Sequence, residues 1–365
     1  MKQLPNNVRL KVLALLLAWS CSEDRAFVFE GHVTNMENGV TLFLKDHITR
    51  KVIDSASVID NSFRFSGSLS DEPALAILHT RDYSDYRYVW IENKKIRFTS
   101  KKGDFRNALV TGSETDRLQT QLSKAQQPLQ IRYDSIFELS DHNLEAQKER
   151  AEELEILRGR LQDLEVEFIR NNPGNLSSAY MLNVYKTAWG RSITDELFSG
   201  FSNEIKNSYY GKNVSHYLAL NKDPKPGDRY VDFIQENASG EKVRLSDFEN
   251  KVVLVEFWSS YCGPCRVANP KLARIYKRFN DRGFEILSVA LDYDRDDWLK
   301  ATKTDGIIWE SVSDLKGDEN EAAIVYGVAG IPDNVLIDRQ GRIVARQISP
   351  ENLETRLDEL LTANL

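Results

Sequence analysis

The stretch that decides the fold of this protein runs from Val252 to Cys265 and reads VVLVEFWSSYCGPC. Its first seven residues form the short, nearly continuous apolar run that is typical of a buried β-strand. Cys262 follows that strand closely and opens a helical segment, so both thiols fall in the first turn. The free N–H groups at a helix start favour a thiolate. The sequence therefore predicts a dithiol that can close a disulfide, with Cys262 as its nucleophile.

Two cysteines separated by two residues are also half of a structural zinc site. A four-ligand zinc site needs a second pair of ligands, and the segment from Asp223 onward offers no further cysteine and no paired histidine. We therefore expect the Cys262–Cys265 pair to be redox-active, with no metal and no cofactor bound.

The residues around this stretch alternate between strand and helix patterns. A second apolar run covers Phe284 to Leu291, and two short runs flank the turn at Gln340-Gly341. Helical patterns occur in residues 270–279, in residues 298–304 and from about residue 351 onward. This alternation predicts an α/β fold in which helices cover both faces of one sheet.

The same segment resembles the thioredoxin superfamily, and specifically the TlpA/ResA-like periplasmic thiol-disulfide oxidoreductases. A Cys-x-x-Cys pair beside a βαβ pattern is the first mark of that resemblance. Other marks are spread over the chain from Asp223 to Leu365, namely Pro226-Gly227-Asp228, Leu245-Ser246-Asp247-Phe248, Gly330-Ile331-Pro332 and Leu336-Ile337-Asp338. The resemblance implies a thioredoxin-like fold for this segment.

The resemblance also implies roles for three residues near the dithiol. Pro332 would be cis, which frees the backbone of Ile331 to pair with a substrate strand beside Cys262. The alternative is a trans turn proline. Glu256 would be a buried acid behind the disulfide, whose raised pKa lets it take a proton from Cys265 through water and help that thiol attack. The alternative is an acid exposed at the end of the sheet.

Several residues next to the dithiol are expected to contact the thiols or the substrate, namely Trp258, Tyr261, Gly263 and Pro264, together with Ile331. This sequence departs from the family at two of the neighbouring positions. Tyr261 stands where the family usually has tryptophan, and Asp333-Asn334 replaces the usual small or hydroxyl residues after the cis-proline. We expect these departures to affect substrate preference and to leave the thiol chemistry unchanged.

The whole chain is long enough for two to three domains at roughly 150 residues per domain. It has 365 residues, of which 41% are hydrophobic and 28% are charged, a composition typical of globular proteins. The formal net charge of −7 argues against a nucleic-acid partner. Partners are therefore expected to be proteins or small molecules.

Two segments precede the thioredoxin-like segment, which we place at residues 223–365. Residues 22–112 alternate apolar and polar positions in short runs that are separated by turn signals, which predicts an antiparallel β domain. Residues 113–222 have apolar residues at helical spacing and are predicted to form a helical region. The expected fold class is a multidomain α+β and α/β protein.

Residues 1–21 have the pattern of a secretory signal. Lys2, Arg9 and Lys11 precede an apolar run that is too short to span a bilayer. Cys21 follows this run and resembles the cysteine of a bacterial lipobox. We expect lipidation of Cys21 to tether the protein to a membrane of a Gram-negative cell envelope, facing the periplasm or at the surface. Ordinary signal cleavage and a retained anchor are the alternatives.

These observations predict a thiol-disulfide oxidoreductase that reduces disulfides of exported proteins. The resemblance implies that its electrons come from a membrane donor of the thiol-relay type. A thiol peroxidase is one alternative, but the proline that such enzymes place ahead of the reactive cysteine is missing from residues 257–261. The other alternative is a binding or assembly lipoprotein that docks partners through residues 26–222.

Overall fold

The computed structural model describes residues 26–69, 72–138 and 144–362. Cys21 and the predicted leader lie outside the described residues. Helix α1 (Glu114–Phe137) contains Pro128, and the chain divides there into two compact units, one up to Gln127 and one from Pro128 onward. The second unit therefore contains most of the predicted helical region together with the thioredoxin-like segment.

The first unit is a β-sandwich of two four-stranded sheets. Its strands are β1 (Phe27–Thr34), β2 (Thr41–Asp46), β3 (Val52–Ser57), β4 (Ser62–Gly67), β5 (Ala74–Thr80), β6 (Tyr86–Ile91), β7 (Lys95–Lys101) and β8 (Leu109–Thr111). The sheet orders are β4-β1-β7-β8 and β3-β2-β5-β6. Side chains from both sheets, such as Phe29 and Leu78, share one buried core. The pairs within these sheets are antiparallel as predicted, except that β1 and β7 run parallel.

The second unit continues with helices that match the predicted helical region. They are α2 (Leu144–Asn171), α3 (Leu176–Ser199), α4 (Asn203–Asn207) and α5 (Tyr209–Leu220). Helix α3 is kinked at Gly190, whose φ of 77° is a left-handed value that glycine adopts without steric strain. Within the described ranges, no helix combines the length and the hydropathy that a bilayer span requires.

A seven-stranded sheet follows, with helices on both faces as the sequence predicts. Its strands are β9 (Ile234–Asn237), β10 (Lys242–Arg244), β11 (Val252–Trp258), β12 (Phe284–Ala290), β13 (Glu310–Ser313), β14 (Asp333–Ile337) and β15 (Ile343–Arg346), in the order β10-β9-β13-β12-β11-β14-β15. One face is covered by α6 (Gly263–Phe279), α7 (Arg295–Asp305) and α9 (Pro350–Thr362), and the other by α8 (Glu321–Tyr326). Strand β11 lies inside the sheet, and all seven of its residues are buried.

Buried polar contacts join the helical region to this sheet and its helices. Asn221, directly after α5, donates from Nδ2 to the carbonyl oxygen of Ile324 in α8 at 2.9 Å. Lys186 of α3 is buried, and its ammonium nitrogen lies 2.7 Å from a carboxylate oxygen of Glu319. Buried charges are stable only when they are paired. The burial of Lys186 in the helical region therefore depends on Glu319, which belongs to the part of the chain that forms the sheet.

Arg346 connects three separate parts of the same unit. Its guanidinium donates to Asp223 at 2.9 Å, to Asp333 at 2.8 Å and to the carbonyl oxygen of Gly327 at 3.3 Å. Asp333 comes directly after Pro332 and is buried. Asp333 therefore holds the loop that carries Pro332 against β15, and its carboxylate is buried in this contact.

Replacing Arg346 with methionine would leave the Asp333 carboxylate buried without its counter-ion. Removing one partner of a buried ion pair costs about 3–5 kcal/mol, and we expect a loss of unfolding free energy of this order in chemical denaturation. The control is Arg356→Met, which removes an exposed pair with Glu359 in α9 and should cost less than about 1 kcal/mol. Equal losses for the two variants would show that Arg346 does not have this role.

Candidate active site

The two cysteines lie where strand β11 passes into helix α6, and their sulfur atoms are bonded. Cys262 caps the N-terminus of α6, and its Sγ accepts the backbone N–H of Cys265 at 3.2 Å. Cys262 is 7% exposed, whereas Cys265 is fully buried. Of the two sulfur atoms, the one that another protein can reach is therefore that of Cys262.

The start of helix α6 favours a negative charge on the sulfur atom of Cys262. Pro264 occupies the first turn, where a missing N–H costs nothing. The free N–H groups and the dipole of the helix stabilise a thiolate at Cys262 once the disulfide is reduced. Gly263 and Pro264 are both exposed beside it, so the backbone around the sulfur is open to a partner.

The loop that carries Pro332 reaches the same end of the sheet. The Ile331–Pro332 peptide bond is cis, as the sequence predicts. Strand β14 begins directly after it and pairs with β11, with Asp333 opposite Phe257. Ile331 is partly buried and Pro332 is exposed. The loop therefore presents its surface at the end of β11 that leads to Cys262.

The two aromatic residues predicted to surround the thiols have different environments. Trp258 is fully buried in the core that also contains Cys262 and Cys265. Its predicted contact with substrate does not fit this burial, because the strand and the helices enclose the indole. Tyr261 is 60% exposed, and its hydroxyl donates to the carbonyl oxygen of Leu291 at 2.8 Å. Of these two aromatic residues, Tyr261 is therefore the one that is accessible to a substrate.

Tyr293 is a second exposed aromatic residue in the loop after β12, and it was not among the predicted site residues. It lies two residues beyond the carbonyl group that Tyr261 binds, and its own hydroxyl is 3.2 Å from a carboxylate oxygen of Asp318. Its ring covers Gly317, where a Cβ atom would come within 2.0 Å of a ring carbon. Glycine at that position therefore allows the ring to lie flat on the loop.

Charged side chains hold the loop that leads to Cys262. Asp292 is buried, and its two carboxylate oxygens accept the N–H of Ser260 at 3.1 and 3.2 Å. Arg266 donates to the carbonyl oxygen of Ser260 at 2.9 Å and also pairs with Asp305. Both polar groups of the Ser260 backbone are thus satisfied by charged side chains, which fixes the position of the loop before Cys262.

Glu256 is buried on the sheet face that also carries Trp258, and it is 3% exposed. Ser288 of β12 donates to its Oε2 at 2.8 Å. Burial raises the pKa of Glu256 to about 8; the Ser288 hydrogen bond opposes this shift, and the negative charge of Asp305 adds to it. The alternative of an exposed acid is excluded. Glu256 holds a proton at neutral pH and can exchange it near that pH.

This geometry defines a class of protein, the thioredoxin-like domains that exchange thiols and disulfides. Residues 226–346 match the AhpC/TSA family, and residues 27–118 match a domain of unknown function, DUF4369. A solved thiol-disulfide oxidoreductase from Bacteroides fragilis is 36% identical; the match covers 36% of this chain and 99% of that chain, with a TM-score of 0.35.

Several relatives carry the name thiol-disulfide oxidoreductase ResA, among them the following two. The protein from Bacillus anthracis is 30% identical over 129 residues, which are 35% of this chain and 72% of the relative. The protein from Bacillus cereus is 29% identical over 147 residues, which are 40% of this chain and 82% of the relative. The chain belongs to the ResA family of thiol-disulfide oxidoreductases.

The raised pKa of Glu256 makes the stability of the oxidised protein depend on pH. Between its ordinary pKa of 4.5 and about 8, the folded protein holds a proton that the unfolded chain has released. Stability should therefore fall as the pH rises through this window, by up to about 1.4 kcal/mol per pH unit from this group. Urea denaturation of Glu256→Gln should show a flatter pH dependence than the wild type.

The control for this measurement is Glu354→Gln, which changes an exposed glutamate of α9 that pairs with Arg278. This variant should keep the pH dependence of the wild type. If Glu256→Gln also kept it, Glu256 would not be the buried acid described here.

Proposed function

We propose that this protein reduces disulfides of exported proteins through the Cys262–Cys265 dithiol. The observation that carries the proposal is the unequal access to the two sulfur atoms. Cys262 is 7% exposed at a helix N-terminus, and Cys265 is fully buried directly behind it. A nucleophile that meets the substrate needs access, whereas a resolving thiol that acts only within the protein needs none.

The reaction runs in two exchanges. The Cys262 thiolate attacks one sulfur of the substrate disulfide, and the other substrate sulfur leaves as a thiolate that takes up a proton. Glu256 first releases its own proton and then accepts the proton of Cys265. The Cys265 thiolate attacks the sulfur of Cys262, and the second substrate sulfur leaves as a thiolate with the electron pair of the broken bond and takes up a proton. The products are a substrate dithiol and the Cys262–Cys265 disulfide.

The surface around Cys262 supports docking of an extended segment. A substrate strand would pair with the backbone of Ile331 beside the cis-proline and bring its disulfide to Cys262. Tyr261 and Tyr293 would supply rigid apolar contacts at the edge of this surface. Gly263 and Pro264 are open to the same partner because neither has a long side chain that would block its approach.

We further propose that the reaction takes place in the cell envelope. The signal-like pattern of residues 1–21 supports export, and Cys21 would carry the lipid that tethers the chain to a membrane. A reductase in an oxidising compartment is spent after one turnover unless its disulfide is reduced again. A membrane electron donor of the thiol-relay type would supply these electrons.

Substitution of each cysteine tests the proposed mechanism. We expect Cys262→Ser to lower insulin-disulfide reduction to the uncatalysed rate, because the accessible nucleophile is lost. Cys265→Ser should accumulate a mixed disulfide with the substrate, visible on a non-reducing gel, because resolution is blocked. Cys21→Ser removes the remaining thiol of the chain and should leave the rate unchanged.

Two results would contradict this mechanism. One is disulfide reduction by Cys262→Ser at the rate of the wild type. The other is consumption of hydrogen peroxide, dependent on Cys262, at a rate comparable with disulfide reduction, which would favour a thiol peroxidase.

A further inference from the structure

Glu256 belongs to a row of polar side chains that crosses the sheet. Asn334, Glu256, Ser288 and Ser311 are direct neighbours on β14, β11, β12 and β13, and paired residues project to the same face. Both serines are buried, as is Glu256. A polar row inside a core is stable only when its groups are hydrogen-bonded to each other or to the residues that cover them.

Two tryptophan side chains bind this row. Trp309 donates from Nε1 to Oγ of Ser288 at 2.7 Å, and Trp298 donates from Nε1 to Oγ of Ser311 at 3.0 Å. An indole nitrogen can donate and cannot accept. The Ser288 oxygen therefore accepts from Trp309, and its single hydrogen is left for Oε2 of Glu256, 2.8 Å away.

We propose that Trp309 and Ser288 form a one-way hydrogen-bond relay that keeps the exchangeable proton of Glu256 on Oε1. A proton on Oε2 would put two hydrogens between that oxygen and the Ser288 hydroxyl. A hydroxyl turned to accept from Oε2 would no longer donate to the acid, so the arrangement that keeps both hydrogen bonds of Ser288 has the acid proton on the other oxygen. Ser288 and Trp309 are thus positioning residues for Glu256, an inference that rests on the proposed role of this acid.

The charged groups near Glu256 come from the helices that cover this face. Asp305 at the end of α7 pairs with Arg266 of α6 and accepts from Nδ2 of Asn269 at 2.9 Å. Its negative charge disfavours ionisation of Glu256, and the Ser288 hydrogen bond favours it. On α6, Tyr276 packs its ring against Trp309, with its hydroxyl turned to Glu285, and α9 contributes apolar residues such as Leu353 and Leu357.

The relay leaves Oε1 of Glu256 as the oxygen that exchanges a proton in the resolving step. After Glu256 has released the proton that it holds at neutral pH, the proton of the Cys265 thiol moves to its Oε1, directly or through a water molecule. The thiolate that remains forms the new bond to Cys262, and the substrate sulfur leaves with the electron pair. The Ser288 hydrogen bond stabilises the carboxylate before the transfer and stays in place after it.

The test is a titration of the Glu256 carboxyl group in the oxidised full chain, followed by its ¹³C chemical shift. Glu256→Gln assigns the signal. We expect Ser288→Ala to raise the pKa of Glu256 by about one unit, because the ionised form loses a hydrogen bond. Ser288→Thr keeps the hydroxyl and should restore the wild-type value.

A matched control comes from the same row. Ser311→Ala removes a buried serine that accepts from a tryptophan but does not touch Glu256, and it should leave the titration unchanged. Trp309→Phe should raise the pKa of Glu256 by less than Ser288→Ala, because the hydroxyl remains but loses its fixed direction. An unchanged titration in Ser288→Ala would overturn the relay, as would an equal shift in Ser311→Ala.

The pH profile of insulin reduction separates this inference from the proposed function. If the titration and the profile both move in Ser288→Ala, the relay and the role of Glu256 in the reaction are both supported. If the titration moves and the profile does not, the relay is supported and the proposed role of Glu256 in proton transfer is contradicted.

Discussion

The burial of strand β11 on both faces is the constraint on which the rest of the site depends. It places the end of the strand, at Trp258, beneath helix α6, so that the next turn leaves Cys262 slightly exposed and keeps Cys265 fully buried. The same burial removes Glu256 from water and raises its pKa. One strand thereby determines which thiol meets the substrate, which thiol resolves the intermediate and which acid exchanges the proton.

The surroundings of this strand are held by hydrogen bonds of buried and partly buried charged side chains. Asp292 and Arg266 satisfy the backbone before Cys262, and Arg346 with Asp333 holds the loop of the cis-proline. Such pairs contribute little net stability compared with apolar packing. Charged hydrogen bonds are directional, and each of them fixes a loop in one position. Apolar contacts are less directional and fix a loop less well.

The sequence was sufficient for the parts of the site that are close together along the chain. The Cys-x-x-Cys spacing after an apolar run predicted the dithiol at a helix start, and resemblance to a family predicted the cis bond at Pro332 and the burial of Glu256. A motif gives the proximity of Trp258 to the thiols but does not tell which side of the strand is enclosed, and the expected contact of Trp258 with substrate does not fit its full burial. The roles of the individual site residues in the reaction remain predictions.

Contacts between distant strands could not be derived in this way. Ser288 is one serine in an apolar run. Its hydrogen bond to Glu256 depends on the register of β11 and β12, which no local sequence pattern encodes. The parallel pairing of β1 with β7 was missed for a similar reason, since turn signals between neighbouring strands predict antiparallel hairpins. The pairing of Lys186 with Glu319 joins residues 133 positions apart.

The reduction potential of the Cys262–Cys265 pair tests the central claim most directly. It would be measured by equilibrating the protein, without residues 1–21, against thiol buffers of known potential. The account predicts a value near the roughly −270 mV of thioredoxin, which suits a reductant that depends on an electron donor. A value near the roughly −120 mV of DsbA would contradict it, because the protein would then oxidise thiols and the direction of electron flow would be reversed.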